Sequence, residues 1–479
     1  MKELLNPHLF NFYELDEGAS HTYPSRDYLT ANRLDIIPRY IYARHSLLGH
    51  GRKWGEYVYR EALRALNPSF REGDGRKKGF DDYCRQFDAL IESYRKSGHD
   101  ATTSLIPIAD NSIVDGAHRV ATALALNEDI SVIGVSGPAH DYSANVYLQH
   151  NLSPHVLEAM VNEYIYLKPN VYSVVLFPVA HKKKKKARSI LLNHANLVYE
   201  KMFTVSDLGK PNLLNLLYSH ESWWNDRDDI NLTNRFASPK SEVDVLFVEF
   251  HDGIDPTEVK QQIRKLYNIG NDPIHINDHH FEAKWLADAI LNHNGLMHLN
   301  NHHPQKFEKY TALIEEYKNC LEKADNLDNF CVDSGSVLAQ FGIRDTQDID
   351  YISADGSVLE GGVSDINIHN DEYVYMPFDL DSLVYDPRFH FRYKGIKFLS
   401  IDTVEWFKKL RGEDKDFQDI DLIKQCVKTQ TLFNNKAFIR KKKARSLLRR
   451  AAPAGVKLLK SILPHKAYAF IRNIYRKAV

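Results

Sequence analysis

The chain has 479 residues, 43% of them hydrophobic and 26% charged, with a formal net charge of −1; that balance excludes a disordered or fibrous chain and predicts a globular protein of about two to four domains. Its four cysteines, Cys84, Cys320, Cys331 and Cys426, have no metal-ligand spacing, which argues against a disulfide framework and for a reducing compartment. No run of eighteen apolar residues is present to predict a spanning helix, and the acid-containing stretch MKELLNPHLFNFYELDEG lacks the apolar region expected of a signal peptide.

From Arg33 to about Arg95, apolar residues recur at three- and four-residue steps in RLDIIPRYIYARHSLLG, WGEYVYREALRALN and FDDYCRQFDALIESYRKSG. That period predicts amphipathic helices, with Tyr40, Tyr42, Tyr57 and Tyr59 serving packing. At Ser104 the pattern changes. SLIPIADNSIVDGAHRVATALALNEDISVIGV reads as strand, tight turn, strand, a helix opened by Asp115-Gly116-Ala117-His118-Arg119, and a further strand. Gly116 before a helix frees backbone N–H groups for an anion, Arg119 can fork onto phosphate, and Asp115 can bind a cation or accept a hydroxyl proton with His118 as partner; a capped helix start is the structural alternative.

This segment resembles the ParB/sulfiredoxin superfamily, in which an Asp-Gly-x-x-Arg helix start follows a strand. The resemblance implies a nucleoside-phosphate site, in a superfamily whose roles include cytidine triphosphate hydrolysis in chromosome partitioning, sulfinic acid reduction and phosphorylation of free serine. The next stretch, SANVYLQHNLSPHVLEAMVNEYIYLK, predicts one or two helices without a basic recognition face, so DNA binding is disfavoured, and no cysteine adjoins the motif for sulfinic acid chemistry. A small-molecule kinase or a nucleotide-binding module is left.

Beyond Pro169, NVYSVVLFPVA and VDVLFVEF predict buried strands, ILLNHANLVYEKMFTVSDLGKPNLLNLLYSHESWW reads helix, strand, helix, and DPTEVKQQIRKLYNIG is a capped helix with Gly270 as its stop. The lysines from Lys182 to Lys186 read as a solvated surface. The densest set of ligand-type side chains follows: His275, Asp278, His279, His280 and Glu282. Imidazoles and carboxylates suit Zn²⁺ or Mn²⁺; a substrate or phosphate contact and structural capping are the other readings.

In FCVDSGSVLAQFGIRDTQDIDYI, residues 330 to 352, a short apolar strand runs into Asp333-Ser334-Gly335-Ser336, a helical turn follows, and a second strand holds Asp348-Ile349-Asp350. Carboxylates one residue apart on a strand share a face and can share a cation. Gly335 lets a phosphate approach the backbone and Ser336 offers a hydroxyl, an arrangement suited to a triphosphate with Mg²⁺. The stretch resembles the nucleotidyltransferase superfamily of DNA polymerase β, where Gly-Ser is followed by Asp-apolar-Asp. That resemblance implies Mg²⁺ or Mn²⁺ on Asp348 and Asp350, nucleotide on Gly335 and Ser336, and a third carboxylate from a neighbouring strand, for which Asp365, Asp379 and Asp381 are candidates. Arg411, Lys415, Asp416 and Asp419 resemble the Lys-Asp-x-x-Asp region after many such domains, with Lys415 meeting phosphate; helix-surface ion pairs are the alternative.

From Lys436 to Val479 the chain carries fourteen Lys and Arg and no Asp or Glu, so the remainder stands at −15. Leu, Ile, Phe and Tyr interleave the cations, which favours an amphipathic anchor on an anionic membrane over nucleic-acid binding. The expected fold class is α+β or α/β multidomain: residues 1–165 ParB/sulfiredoxin-like, 166–310 an α/β middle domain, 311–435 nucleotidyltransferase-like, 436–479 a basic tail. The whole looks like bacterial proteins of surface-polysaccharide gene sets. It predicts a cytoplasmic protein, peripheral at the inner membrane face, that uses a nucleoside triphosphate for metal-dependent nucleotidyl or phosphoryl transfer to a small metabolite or glycan precursor. The alternatives are a non-catalytic nucleotide-binding scaffold and a ParB-like DNA-binding or nuclease protein.

Overall fold

The structure is a computed structural model that describes residues 2–16, 18–71, 77–224, 232–238, 241–303, 307–360 and 364–426. The tail predicted over 436–479 lies outside the described residues. The molecule is a mixed α/β protein built on three sheets, and among the described residues no helix is long and apolar enough to cross a membrane.

In the first sheet the strand Asp129–Ser136 is central. It pairs antiparallel with Glu14–Leu15 and His21–Pro24 and parallel with Ile106–Ala109, which carries Ser112–Ile113 at its outer side. The parallel pair needs a crossover, and the helix Ala117–Leu126 supplies it. The helices Ile36–Leu48, Arg52–Leu66 and Phe80–Ser97 pack beside it through the apolar stripes legible in the sequence.

The second sheet is antiparallel, in the order Ala195–Thr204, Glu242–Phe250, Val171–Leu176, Ile274–Ile276. Its two central strands are apolar on both faces because both faces are covered. Val175, Val245 and Phe247 point into a core that continues to Tyr28, while Val174, Leu246 and Val248 point into a second core under the helices Lys184–Leu192 and Pro256–Tyr267. Asp255 caps the latter helix by accepting from the Thr257 N–H, and left-handed Asn268, not Gly270, ends it.

One core thus runs unbroken from Tyr28 to Leu299, so the first two sheets share an interior. The third sheet has its own core and the order Ile366–Ile368, Ile349–Ser353, Phe330–Val332, Ile396–Leu399, His390–Tyr393. Two of the expected domain boundaries, at 165 and 310, fall inside the helices Pro154–Leu167 and Glu308–Leu321.

Candidate functional site

The stretch around Asp333 folds as strand, helix, strand: Phe330–Val332, Ser334–Gln340 and Ile349–Ser353. Antiparallel pairing sets Val332 opposite Tyr351, and the Asp333 N–H donates to the Asp350 carbonyl at 2.9 Å. On the other side Ile366–Ile368 runs parallel, and the His369 N–H donates to the Tyr351 carbonyl at 2.8 Å. The ends of three adjacent strands therefore meet. Ligand-type atoms of Asp333, Asp350 and His369 lie within 4.8 Å of one another, and among the described residues no other group of three or more His, Cys, Asp and Glu converges in this way.

Asp333 is fully buried, neither of its carboxylate oxygens has a partner in good hydrogen-bond geometry, and the Tyr373 hydroxyl and the His369 ring interact with it. The His369 ring nitrogens stand 3.6 Å from Asp333 and 3.7 Å from Asp350, outside good hydrogen-bond range. Burial, then the nearby charge of Asp333, pushes the Asp350 carboxyl up to about 7. Burial pulls His369 down, but the carboxylates of Asp333 and Asp350 outweigh it and hold the imidazole at about 9. A buried and a half-buried carboxylate at such a distance repel, and an imidazolium or a cation must offset them. The chemistry of the set, two carboxylates and one imidazole, fits a divalent cation such as Mg²⁺ or Mn²⁺, with the nitrogen favouring Mn²⁺.

The other motif residues take different positions from those expected. Asp348 precedes the strand by one residue and is not in the group of three, although its charge adds to the upward shift of Asp350. The neighbouring carboxylate is Asp333. Asp365 stands 3.7 Å from Lys309, Asp379 pairs with Lys53, and Asp381 accepts from the Gly51 N–H at 2.6 Å. The Ser336 side chain is spent within the fold: its hydroxyl donates to the Asp348 carbonyl at 3.1 Å and accepts from the Asp350 N–H at 3.4 Å. It fastens the helix to the carboxylate strand instead of offering itself to phosphate. Gly335 is buried, and a Cβ there would come within 3.1 Å of the Thr346 hydroxyl, so the glycine serves close packing.

Lys415 is 70% exposed and pairs with Glu413 at 3.2 Å. After His369, the cation felt at Asp350 is Arg411, which forks onto Asp416 at 2.7 and 2.9 Å. Lys408, almost completely buried, reaches Asp416 and Asp419 at 3.3 and 2.8 Å, and Arg344 grips Asp419 at 2.6 and 2.8 Å. Asp416 and Asp419 are thus a buried ion network behind the site.

At the other expected site, Gly116 takes a left-handed conformation, φ 93°, before the helix Ala117–Leu126. Arg119 folds back over it, donating to the Ser104 hydroxyl and, at 2.9 Å, to the Leu105 carbonyl, with Asp115 at 3.5 Å. Burial, aided by Arg39, holds His118 well below its ordinary pKa, so its ring is neutral at pH 7; Nε2 lies 2.7 Å from the Tyr59 hydroxyl. Asp115, Gly116, His118 and Arg119 line a cavity of about 1250 Å³ together with Arg33, Arg39 and Lys77.

The His275–Glu282 set does not converge on one point. Glu282 closes a capping box at the start of the helix His280–Ile290, accepting from the N–H groups of Asp278 and His279 at 3.1 and 2.8 Å. His275 is buried 3.4 Å from Glu282 and edge-on to Tyr218, Asp278 is largely exposed beside Lys260, and His280 bonds the Ile165 carbonyl at 2.8 Å. Capping accounts for Glu282 and the His279 end of the set, while His275, Asp278 and His280 meet separate neighbours.

His369 carried no signal in its own segment, because it reaches the site through pairing of a distant strand. Asp333 sat within the motif, and the antiparallel turn-back of the two strands was the clue to its role. Comparison of the chain with family models, with curated proteins and with solved structures gives no match.

Proposed function

We propose that this chain is a metal-dependent nucleotidyl- or phosphoryltransferase acting on a small metabolite or glycan precursor, with a divalent cation held by Asp333, Asp350 and His369 and Asp348 as a further carboxylate beside them. One observation carries the reading: a fully buried Asp333 whose two oxygens lack a well-formed hydrogen bond converges with a second carboxylate and an imidazole. A cation there would neutralise a triphosphate and orient it for displacement. The chain's own contribution is a rigid frame, since Ser336 and the Arg411, Lys408 and Arg344 network fix the strand ends that present the acids.

The test is incubation of the full chain with each nucleoside triphosphate, Mg²⁺ or Mn²⁺ and a metabolite extract, followed by a search for nucleotidylated or phosphorylated products. Asp333→Asn should abolish metal-dependent consumption. Wild-type consumption in a folded Asp333→Asn protein would sink the reading. The scaffold alternative predicts tight triphosphate binding with no turnover, and the DNA-binding alternative predicts salt-sensitive duplex binding.

A second nucleotide site is supported by the cavity around Asp115–Arg119, where Arg33, Arg39, Lys77 and Arg119 outnumber the acids Asp35 and Asp115. Such a balance suits a nucleoside phosphate, as the resemblance to the ParB/sulfiredoxin superfamily implies. Lys77→Gln in the full chain should weaken triphosphate binding while leaving the Asp333 site intact; an unchanged affinity would return the cavity to solvent.

A further inference from the structure

A second cavity, about 810 Å³, lies where all three sheets' surroundings meet, walled by residues of the helices Ile36–Leu48 and Pro154–Leu167, the segment 288–296 and the segment 378–397. It is not the reaction site described above. Asp328, which lines it, precedes the strand Phe330–Val332, and Asp333 follows that strand, so about 10 Å of strand separates the two.

The wall mixes apolar surface with polar side chains. Along Pro154–Leu167, His155, Glu158, Ala159, Asn162 and Glu163 recur at three- and four-residue steps and all line the cavity, while Val156, Leu157, Met160 and Val161 are buried in core. A helix enclosed between packed modules would ordinarily turn apolar side chains to both sides. Here that stripe carries four polar side chains beside Ala159, of which Glu158 is buried at a desolvation cost that an apolar residue would avoid.

Its charged groups have partners. Glu158 pairs with Lys201 at 2.6 Å, Asp328 with Arg44 and, at 2.5 Å, with Arg392, and Asp288 accepts from Asn162 and the Tyr166 hydroxyl at 3.1 and 2.7 Å. The amide oxygens of Asn162 and Asn294 have no partner. Trp54 and Phe389 give the same cavity aromatic surface.

We infer that this cavity binds a neutral, polyhydroxylated small molecule, a sugar. Paired carboxylates, amides and neutral imidazoles supply the mixed donors and acceptors that hydroxyl groups need, balanced charge disfavours an ion, and an aromatic wall receives the C–H face of a sugar ring. The volume falls within the usual range of small-ligand sites, about 300–1,000 Å³. The occupant would touch all three modules at once. The inference does not rest on the metal site and can fail separately from it.

The experiment is ligand-observed NMR and calorimetry on the full chain, against a panel of unmodified mono- and disaccharides, with nucleosides and free amino acids as contrasts. At least one sugar should bind. Asn162→Leu should weaken it by about tenfold or more, the loss expected for a hydrogen bond to a polar or charged group, and Ala159→Trp, which fills the cavity, should abolish it. Asp333→Asn should leave it unchanged. Absence of any sugar binding, preference for a nucleoside or amino acid, or sugar binding untouched by a folded Asn162→Leu protein overturns the assignment. Should Ala159→Trp not fold, Asn162→Leu alone decides.

Discussion

At Asp333 function and stability pull in opposite directions. In the metal-free protein its buried charge faces Asp350, with His369 the one nearby cation of the group. Removing that charge should relieve repulsion, so Asp333→Asn is expected to raise the melting temperature measured in chelator while lowering metal affinity by roughly 100-fold. A purely structural Asp333 would give destabilisation with unchanged affinity. The same cluster sets a pH dependence. Asp350 titrates at about 7 instead of 3.8, and His369 at about 9 instead of 6.5. Both values are raised, so the folded protein holds more protons than the unfolded chain across that interval and stability falls as pH rises through it. The Asp350 contribution is full below 3.8 and lost through about 7, and the His369 contribution is full below 6.5 and lost through about 9. A bound cation takes the place of those protons. Melting temperatures from about pH 5 to about pH 9 should therefore decline in chelator and level off with saturating Mn²⁺; parallel curves would remove the cation from the site.

Among elements, the helix Ser334–Gln340 matters through its first residues. Ser334 holds a left-handed φ of 50°, uncommon for a side chain that is not glycine, and this turn brings the Ser336 hydroxyl under the strand that carries Asp350. Ser336→Ala removes the tie, since a methyl neither donates to the Asp348 carbonyl nor accepts from the Asp350 N–H. The expected cost is about 1 kcal/mol of stability, with a larger relative loss of turnover because the carboxylates lose their register. Denaturant unfolding and product formation, measured on the same preparation, separate the two; loss of stability with full turnover would make Ser336 a packing residue only.

The whole molecule is joined by charge as well as by core. Asp328, in front of the third sheet, meets Arg44 of the first region and Arg392 of its own, and Lys397 donates to its backbone carbonyl at 2.6 Å. Asp328→Ala leaves two guanidinium groups facing each other. The expected loss is about 2 kcal/mol, below the roughly 3–5 of a fully buried pair, because these side chains keep about a quarter of their surface. Early proteolytic cleavage between the modules should accompany it; an unchanged melting curve would show that the cores alone hold them. Beyond the described residues, the fourteen cations from Lys436 onward predict a peripheral anchor, each cation near an anionic leaflet contributing on the order of 1 kcal/mol. Removal of residues 436–479 should release the chain from anionic vesicles in a sedimentation assay, and continued sedimentation would place the affinity elsewhere.

Local order was legible in the residues themselves. The three- and four-residue steps before Arg95 formed helices, the apolar run at Glu242–Phe250 formed a strand buried on both faces, and the Asp-x-Asp segment lay at a strand start. Periodicity is a property of neighbouring residues, so it needs no knowledge of the fold. What joins Asp350 to Asp333 and His369 is strand pairing between distant segments, and which strands adjoin is decided by the packing of the whole chain. For the same reason the histidine-rich stretch at 275–282 looked like a ligand set and became a helix cap, while Ser336 looked free and was spent inside. Which polar atoms are left over is known only after every other one has found its partner, and at Asp333 that remainder marks the candidate site.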